Sequence, residues 1–160
     1  MKYYLIALLF TVQYSFAQNF DYKVISENPN FQISFPALPD SQTISHKEYF
    51  AVQYSLLHKN TAYSFSVLTI PDSIEDKQFV MNSIHVGFKK TMDVFVKKKI
   101  SLTNGISGYY YEGISKKVNT LARFNVYFHD NQVYFFGLSR AGRMPSKKLF
   151  DKFSATLIIE

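Results

Sequence analysis

The chain has 160 residues, a formal net charge of +6 and no cysteine. The lack of cysteine excludes disulfides, thiol chemistry and Cys-ligated zinc, so the core must provide the stability of the fold. Sixteen Phe and twelve Tyr without any Trp are typical of a β-rich domain with aromatic pairs across its strands.

The first seventeen residues have the pattern of a secretory signal peptide. After a short positive start, the apolar run Leu5–Val12 is too short to span a bilayer, and small residues precede a cleavage point after Ala17. A buried N-terminal helix or an uncleaved anchor is the alternative. We expect residues 1–17 to be removed and residues 18–160 to form one α+β domain, exported to the periplasm or the extracellular space.

Alternation of apolar and polar residues predicts a strand and then a hairpin. The strand covers Phe31–Phe35, and Pro36 ends it because proline cannot donate to a sheet. Two further alternating runs flank Lys59–Asn60, and a two-residue turn there would pair Tyr54 with Phe65. The opposite face of this hairpin is rich in serine, so we expect it to be solvated or lightly covered.

A long helix is predicted after the hairpin. Asp72 and Glu75 resemble a capping box, and the helix is expected to continue to about Val96. Its apolar stripe has spacings of three or four residues and comprises Met81, Ile84, Phe88, Met92 and Phe95. Phe79 and Val86 fall outside the stripe, which leaves fraying, a second layer or an interface as explanations.

The most regular stretch of the chain, residues 105–140, predicts a meander of three antiparallel strands. A turn at Asp130–Asn131 would close the last two strands into a hairpin. A single register then satisfies three pairs: Phe128 with Val133, Val126 with Phe135, and Phe124 with Gly137. Residues 146–153 predict a closing helix, and residues 155–159 a final extended piece.

These elements predict an α+β fold, with an antiparallel β-sheet of about six strands and the long helix on its apolar face. Their order resembles the PsbP-like superfamily, which includes DcrB-type bacterial envelope proteins. The resemblance rests on the opening FQISFP with a second proline at Pro39, the long helix, the aromatic meander and the closing SATLII. It implies a PsbP-like α/β/α sandwich, in which helices flank the antiparallel sheet. It also implies binding or assembly roles rather than catalysis.

The polar face of the meander carries a candidate ligand-binding site. Its members are Tyr110, Glu112, Arg123, Asn125, Tyr127, His129 and Tyr134. Such side chains can bind a small polar ligand or a peptide through directed hydrogen bonds. The alternative is a solvated sheet face with a Glu112–Arg123 cross-strand pair. Both interpretations leave Asn125 at the surface, so Asn125→Asp is expected to be mild.

A second candidate surface is basic. Residues 89–160 contain thirteen Lys and Arg against five acidic residues, whereas residues 18–88 contain four against seven. The candidate residues for an anionic surface are Lys97, Lys98, Lys99, Arg140, Arg143, Lys147 and Lys148. They would attract an unknown acidic protein or an anionic envelope component, and nucleic acid is not expected. The alternative is that these residues form solvated faces that aid solubility.

No motif in the sequence indicates catalysis or a metal site. The four histidines are far apart in the chain and form no local ligand pair, so no cofactor or metal is expected. We therefore predict an exported, non-enzymatic envelope module that binds a partner or a ligand, without a transmembrane segment after signal cleavage. The alternative is a small hydrolase-like enzyme, in which Glu112 and His129 would have to converge in a concave site.

Overall fold

The structure, a computed structural model, describes residues 19–46, 49–71 and 77–160. The predicted signal peptide and the capping box of Asp72 and Glu75 lie outside the described residues. The elements are β1 Tyr22–Glu27, β2 Asn30–Phe35, β3 Asp40–His46, β4 Tyr49–His58, β5 Thr61–Thr69, α1 Lys77–Thr91, β6 Met92–Ser101, β7 Ser107–Ser115, β8 Thr120–His129, β9 Gln132–Ala141, α2 Lys147–Ser154 and β10 Ile158–Ile159.

The strands form two antiparallel sheets. The large sheet has the order β3-β4-β5-β9-β8-β7-β6, and the small sheet has the order β1-β2-β10. The predicted α+β class, an antiparallel sheet flanked by helices, is confirmed. The strands β1 and β3 escaped prediction because they lie largely in solvent, so their sequences lack the apolar alternation of a half-buried strand.

Both predicted hairpin registers are confirmed. β4 and β5 pair Tyr54 with Phe65, and the turn residues Lys59 and Asn60 have φ of 48° and 61°, as a two-residue hairpin turn of this kind requires. β8 and β9 pair Phe124 with Gly137. A Cβ added at Gly137 would lie 2.6 Å from the Phe124 Cβ, so the absent side chain does make room for the ring.

The predicted extent of the long helix is wrong after Thr91. From Met92 the chain is the strand β6, which makes nine residue pairs with β7. The run Asp93–Val96 contains β-branched and aromatic residues that favour a strand, and the ladder to β7 pairs nine of the ten residues of β6. The lysines 97–99 therefore lie on an edge strand and not at a helix end.

Helix α1 covers one face of the large sheet, which we call the α1 face. Met81 is buried, and Ile84 and Phe88 pack against the same cluster, which includes Val126 and Val133 of the sheet. These three helix residues confirm the first part of the predicted apolar stripe. Phe79 and Val86 are 62% and 51% exposed on the other side of the helix.

The opposite face of the large sheet, which we call the α2 face, is covered by α2 and the small sheet. β2 and α2 contribute a buried aromatic and aliphatic cluster that packs on Tyr63, Phe65 and Phe136 of the sheet; its members are Phe31, Ile33, Phe35, Phe150 and Phe153. The large sheet is thus the central layer of three.

Candidate functional site

Three of the predicted ligand-binding residues lie inside the core on the α2 face. Asn125, Tyr127 and Tyr134 are only 4%, 2% and 1% exposed, so the interpretation of this face as solvated is wrong. The Asn125 amide donates to the Tyr127 hydroxyl at 3.0 Å and to Ser154 of α2 at 3.5 Å. Burial raises the pKa of Tyr127, and it raises the pKa of Tyr134 to about 12. Both phenols therefore stay protonated at neutral pH.

Three more of these residues form a polar cluster where α2 begins. The register of β7 and β8 places Glu112 opposite Arg123, and the predicted cross-strand pair is present as an ion pair. The guanidinium also donates to the Tyr110 hydroxyl at 2.5 Å and to the Pro145 carbonyl at 2.8 Å. The Tyr110 hydroxyl itself donates to Glu112. Arg123 thus joins the loop before α2 to the sheet, and both charged groups of the cluster have partners.

His129 stands apart from both groups. It lies at the turn after β8, with Nε2 3.6 Å from the Asp130 carboxylate. Six residues of strand separate it from Arg123, which corresponds to about 20 Å. The seven predicted ligand residues are therefore divided among a buried group, a paired cluster and a turn, and Glu112 and His129 do not converge.

The basic residues are also divided between the two faces. Lys97 pairs with Tyr111 on the α1 face, and its Nζ lies 4.6 Å from the centroid of the Tyr109 ring. Lys98 pairs with Tyr110, whose ring contacts Phe150 of α2, so Lys98 belongs to the α2 face. On α2, Lys147 forms an ion pair with Asp151 at 2.7 Å, and Lys148 is exposed. Lys99 follows Lys97 to the α1 face because residues alternate along a strand.

A stacked pair of polar aromatic residues lies beneath α1. The His85 ring stacks on Tyr111 with 6.1 Å between the ring centroids. Within the described part of the chain, neither His85 Nδ1 nor the Tyr111 hydroxyl has a hydrogen-bond partner. Burial, with help from Lys97 and Lys89, lowers the pKa of His85, and burial raises the pKa of Tyr111 to about 12. Both shifts favour the neutral form of the group, and the sequence contained no signal for this contact.

An open groove runs beside α1 on the α1 face. Its first part has a volume of about 190 Å³, and its second part has a volume of about 490 Å³. Both parts include Ser139. The side chains of the first part come from α1, β5, β8 and β9 and from the start of β6, and they include Ser64, Phe88, Met92, Ala122, Phe124, Phe135 and Ser139. The second part adds Leu57, Asn60, Ala62, Thr120, Arg140 and Arg143.

Small side chains on neighbouring strands produce the groove. Ser64 of β5 pairs with Gly137 of β9, and Ala62 pairs with Ser139, so the floor stays low where α1 no longer covers the sheet. Phe88 raises one wall. The sequence does contain a signal for the groove, namely the serine-rich face of the β4–β5 hairpin and Gly137 in the β8–β9 hairpin. It was missed because only the pairing of β5 with β9 brings the two hairpins side by side.

Two features are absent from the described ranges. These ranges contain no group of three or more His, Asp or Glu that could hold a metal ion. They also contain no helix that is long and apolar enough to cross a membrane.

Comparison with known proteins supports the fold. The chain is similar to the solution structure of cyanobacterial PsbP (CyanoP) from Synechocystis, with a TM-score of 0.58 and 13% identity over 86% of this chain and 91% of that chain. A protein of unknown function from Pseudomonas aeruginosa gives a TM-score of 0.41 and 10% identity over 76% and 84% of the two chains. No protein-family model and no curated protein matches the sequence. The fold is PsbP-like, as the resemblance implied.

Proposed function

We propose that this chain is an exported, non-enzymatic envelope module that binds a partner protein through the groove beside α1. The groove is the observation that carries the proposal, because it is a concave, largely apolar surface beside α1. Apolar grooves beside helices are common sites for a partner's extended or helical segment. The module would then act by holding a partner rather than by chemistry.

The lining of the groove indicates the chemistry of the partner. Phe88, Phe124 and Phe135 offer aromatic contacts at one end. At the other end Leu57 is 76% exposed, and Arg143 lines the same part of the groove. A segment that carries apolar side chains followed by an acidic residue would match this order of contacts. Of the two anionic partners predicted from the sequence, we therefore favour an acidic protein segment. An extended anionic surface is less suitable, because the remaining basic residues are spread over two faces.

A hydrolase-like enzyme has less support from the geometry. Glu112 already forms an ion pair with Arg123 and accepts a hydrogen bond from Tyr110. His129 lies at the far end of β8 and pairs with Gln132 across the turn. A general acid and base must both be within hydrogen-bond reach of one substrate, and these two residues are not.

Export is a separate part of the proposal, and the pattern of residues 1–17 supports it. Intact-mass measurement of the protein recovered from the exported fraction should give a chain that begins at Gln18. Recovery of the chain with residues 1–17 still attached would contradict signal cleavage, whatever the outcome of the binding experiment.

Binding can be tested with a photo-crosslinking residue introduced at Ser139, which lines both parts of the groove. The control carries the crosslinker at Thr103, an exposed residue outside the lining. With the crosslinker at position 139 we expect a discrete covalent adduct between the chain and a partner protein. With the crosslinker at position 103 we expect no adduct. Adducts of equal yield from both positions would mean that the groove is not the binding surface.

A matched pair of substitutions sharpens this test. Ser64 lines the groove, whereas Ser55 lies opposite Ser64 on the same face and outside the lining. Both serines are exposed, so Leu is expected to be tolerated at either position. Ser64→Leu should fill the floor and abolish the adduct, and Ser55→Leu should leave it. An adduct that survives Ser64→Leu would contradict the proposal.

A further inference from the structure

The large sheet ends in two strands, β3 and β6, that differ in how they are protected. Within the described ranges, each of them pairs with a neighbouring strand on one side alone. The outer side of an edge strand presents unpaired backbone N–H and C=O groups, which can pair with another chain. Proteins commonly block such edges with lysines, prolines or bulges.

β6 carries two of these blocking features. Lys97, Lys98 and Lys99 are consecutive and exposed near its end. The register to β7 shifts between Val94 and Val96, which makes Phe95 the extra residue of a bulge. This edge is therefore poorly suited to pairing with another strand.

β3 carries neither feature. Its seven residues, DSQTISH, include no lysine and no proline, and its seven pairs with β4 run without a register shift. Residues 40–45 are all exposed. Apolar side chains stand beside this edge, with Ile44 37% exposed and Phe50 of β4 41% exposed. Pairing at β3 would shield them from water.

The sequence of β3 is compatible with itself in antiparallel pairing. The symmetric register that uses all seven residues is centred on Thr43, which then lies opposite Thr43 of the second copy. This register also sets Ser41 opposite Ser45, Gln42 opposite Ile44 and Asp40 opposite His46. Thr–Thr pairs favour antiparallel pairing, and like charges directly opposite each other disfavour it. The register places no two like charges opposite each other.

We propose that two copies of this chain associate through β3, with the two-fold axis at Thr43, and join their large sheets into one continuous antiparallel sheet. The partner at this edge is a second copy of the chain. The association is independent of the groove, because β3 does not contribute to the groove lining. It therefore goes beyond the proposed function and can fail or succeed separately from it.

The absence of cysteine from the chain allows a direct test by disulfide formation. In the proposed register, Thr43→Cys places the two introduced thiols opposite each other, at a Cα separation of about 4.5–5.5 Å, which a disulfide can bridge. The matched control is Ser41→Cys on the same side of β3. Its two introduced thiols, one from each copy, would lie four residues apart along the strands, or about 13 Å. Disulfide formation at that separation would require backbone movement.

We expect mild oxidation to convert Thr43→Cys to a disulfide-linked dimer, to leave Ser41→Cys without a covalent link, and to link the double variant Ser41→Cys/Ser45→Cys. Equal disulfide yields from Thr43→Cys and Ser41→Cys, or no disulfide from Thr43→Cys, would overturn the proposal. Light scattering of the wild-type protein over a wide dilution series supplies a second readout. We expect a concentration-dependent dimer that Thr43→Lys dissociates and Thr43→Ser retains. If the wild-type protein stayed monomeric throughout the dilution series, the proposal would also be overturned. That conclusion would hold even if Thr43→Lys prevented the binding of some other protein.

Discussion

The unpartnered hydroxyl of Tyr111 leads to a prediction of increased stability. The ring is fully buried, stacks on Phe124 with 5.0 Å between the centroids and makes a T-shaped contact with Phe88 at a centroid distance of 5.4 Å. Tyr111→Phe keeps these ring contacts and removes only a hydroxyl that has no hydrogen-bond partner among the described residues. A buried polar group without a partner costs about 1–3 kcal/mol, so we expect the free energy of unfolding to rise by about 1 kcal/mol or more.

The pH dependence of the same substitution gives an independent check. The folded-state pKa of Tyr111 is raised from 10.0 to about 12 because burial disfavours the phenolate. Because deprotonation costs more in the folded protein than in the unfolded chain, the stability of the wild type is unaffected by this group below pH 10 and falls as the pH rises towards 12. This loss amounts to at most about 3 kcal/mol. The advantage of Tyr111→Phe over the wild type should therefore grow between pH 10 and pH 12.

Guanidinium unfolding of the two proteins at pH 7 and across the alkaline range measures both effects. Tyr127→Phe is the control, because the Tyr127 hydroxyl accepts a hydrogen bond from the buried Asn125 amide. Its loss should lower the free energy of unfolding by about 1–2 kcal/mol. If Tyr111→Phe destabilised the protein as much as Tyr127→Phe does, the Tyr111 hydroxyl would have to be hydrogen-bonded in solution, and the reasoning would be refuted.

Three further outcomes follow from the two covered faces of the large sheet. Asn125→Asp should destabilise the fold by several kcal/mol at neutral pH, because it places a carboxylate in a site that is 4% exposed; denaturant unfolding that shows a change within about 0.5 kcal/mol would restore the surface interpretation. Phe65→Asp and Val126→Asp should each prevent folding although they lie on opposite faces, as circular dichroism can establish; a folded spectrum for either variant would mean that its face is not core. Glu112→Gln should lower the free energy of unfolding by about 1–3 kcal/mol, because Glu112 is only partly exposed and its replacement leaves Arg123 without its ion pair. If Glu112→Gln lowered the free energy of unfolding by the same amount in an Arg123→Met background, the two residues would not be coupled.

The local parts of this fold could be predicted from the sequence, because their determinants lie within a few residues of each other. The pairing of Tyr54 with Phe65 and of Phe124 with Gly137 follows from alternation on both sides of a short turn. The Glu112–Arg123 ion pair follows from the same meander. The end of α1 could not be predicted in this way, because Met92 continues the helical spacing and also begins a strand whose partner lies further along the chain.

The candidate site required tertiary information. Asn125 and Tyr127 were predicted to lie at the surface because their strand alternates, and a sequence pattern cannot show that a second layer covers the polar side. That layer comes from β2 and α2, which lie at opposite ends of the chain, and Asn125 becomes a core residue only where Ser154 of α2 reaches it. The groove likewise exists only where Ser64 and Gly137 meet across β5 and β9. Turn chemistry and alternation act locally and determined the hairpins, whereas burial depends on which distant segments pack together, and only the tertiary structure decided that.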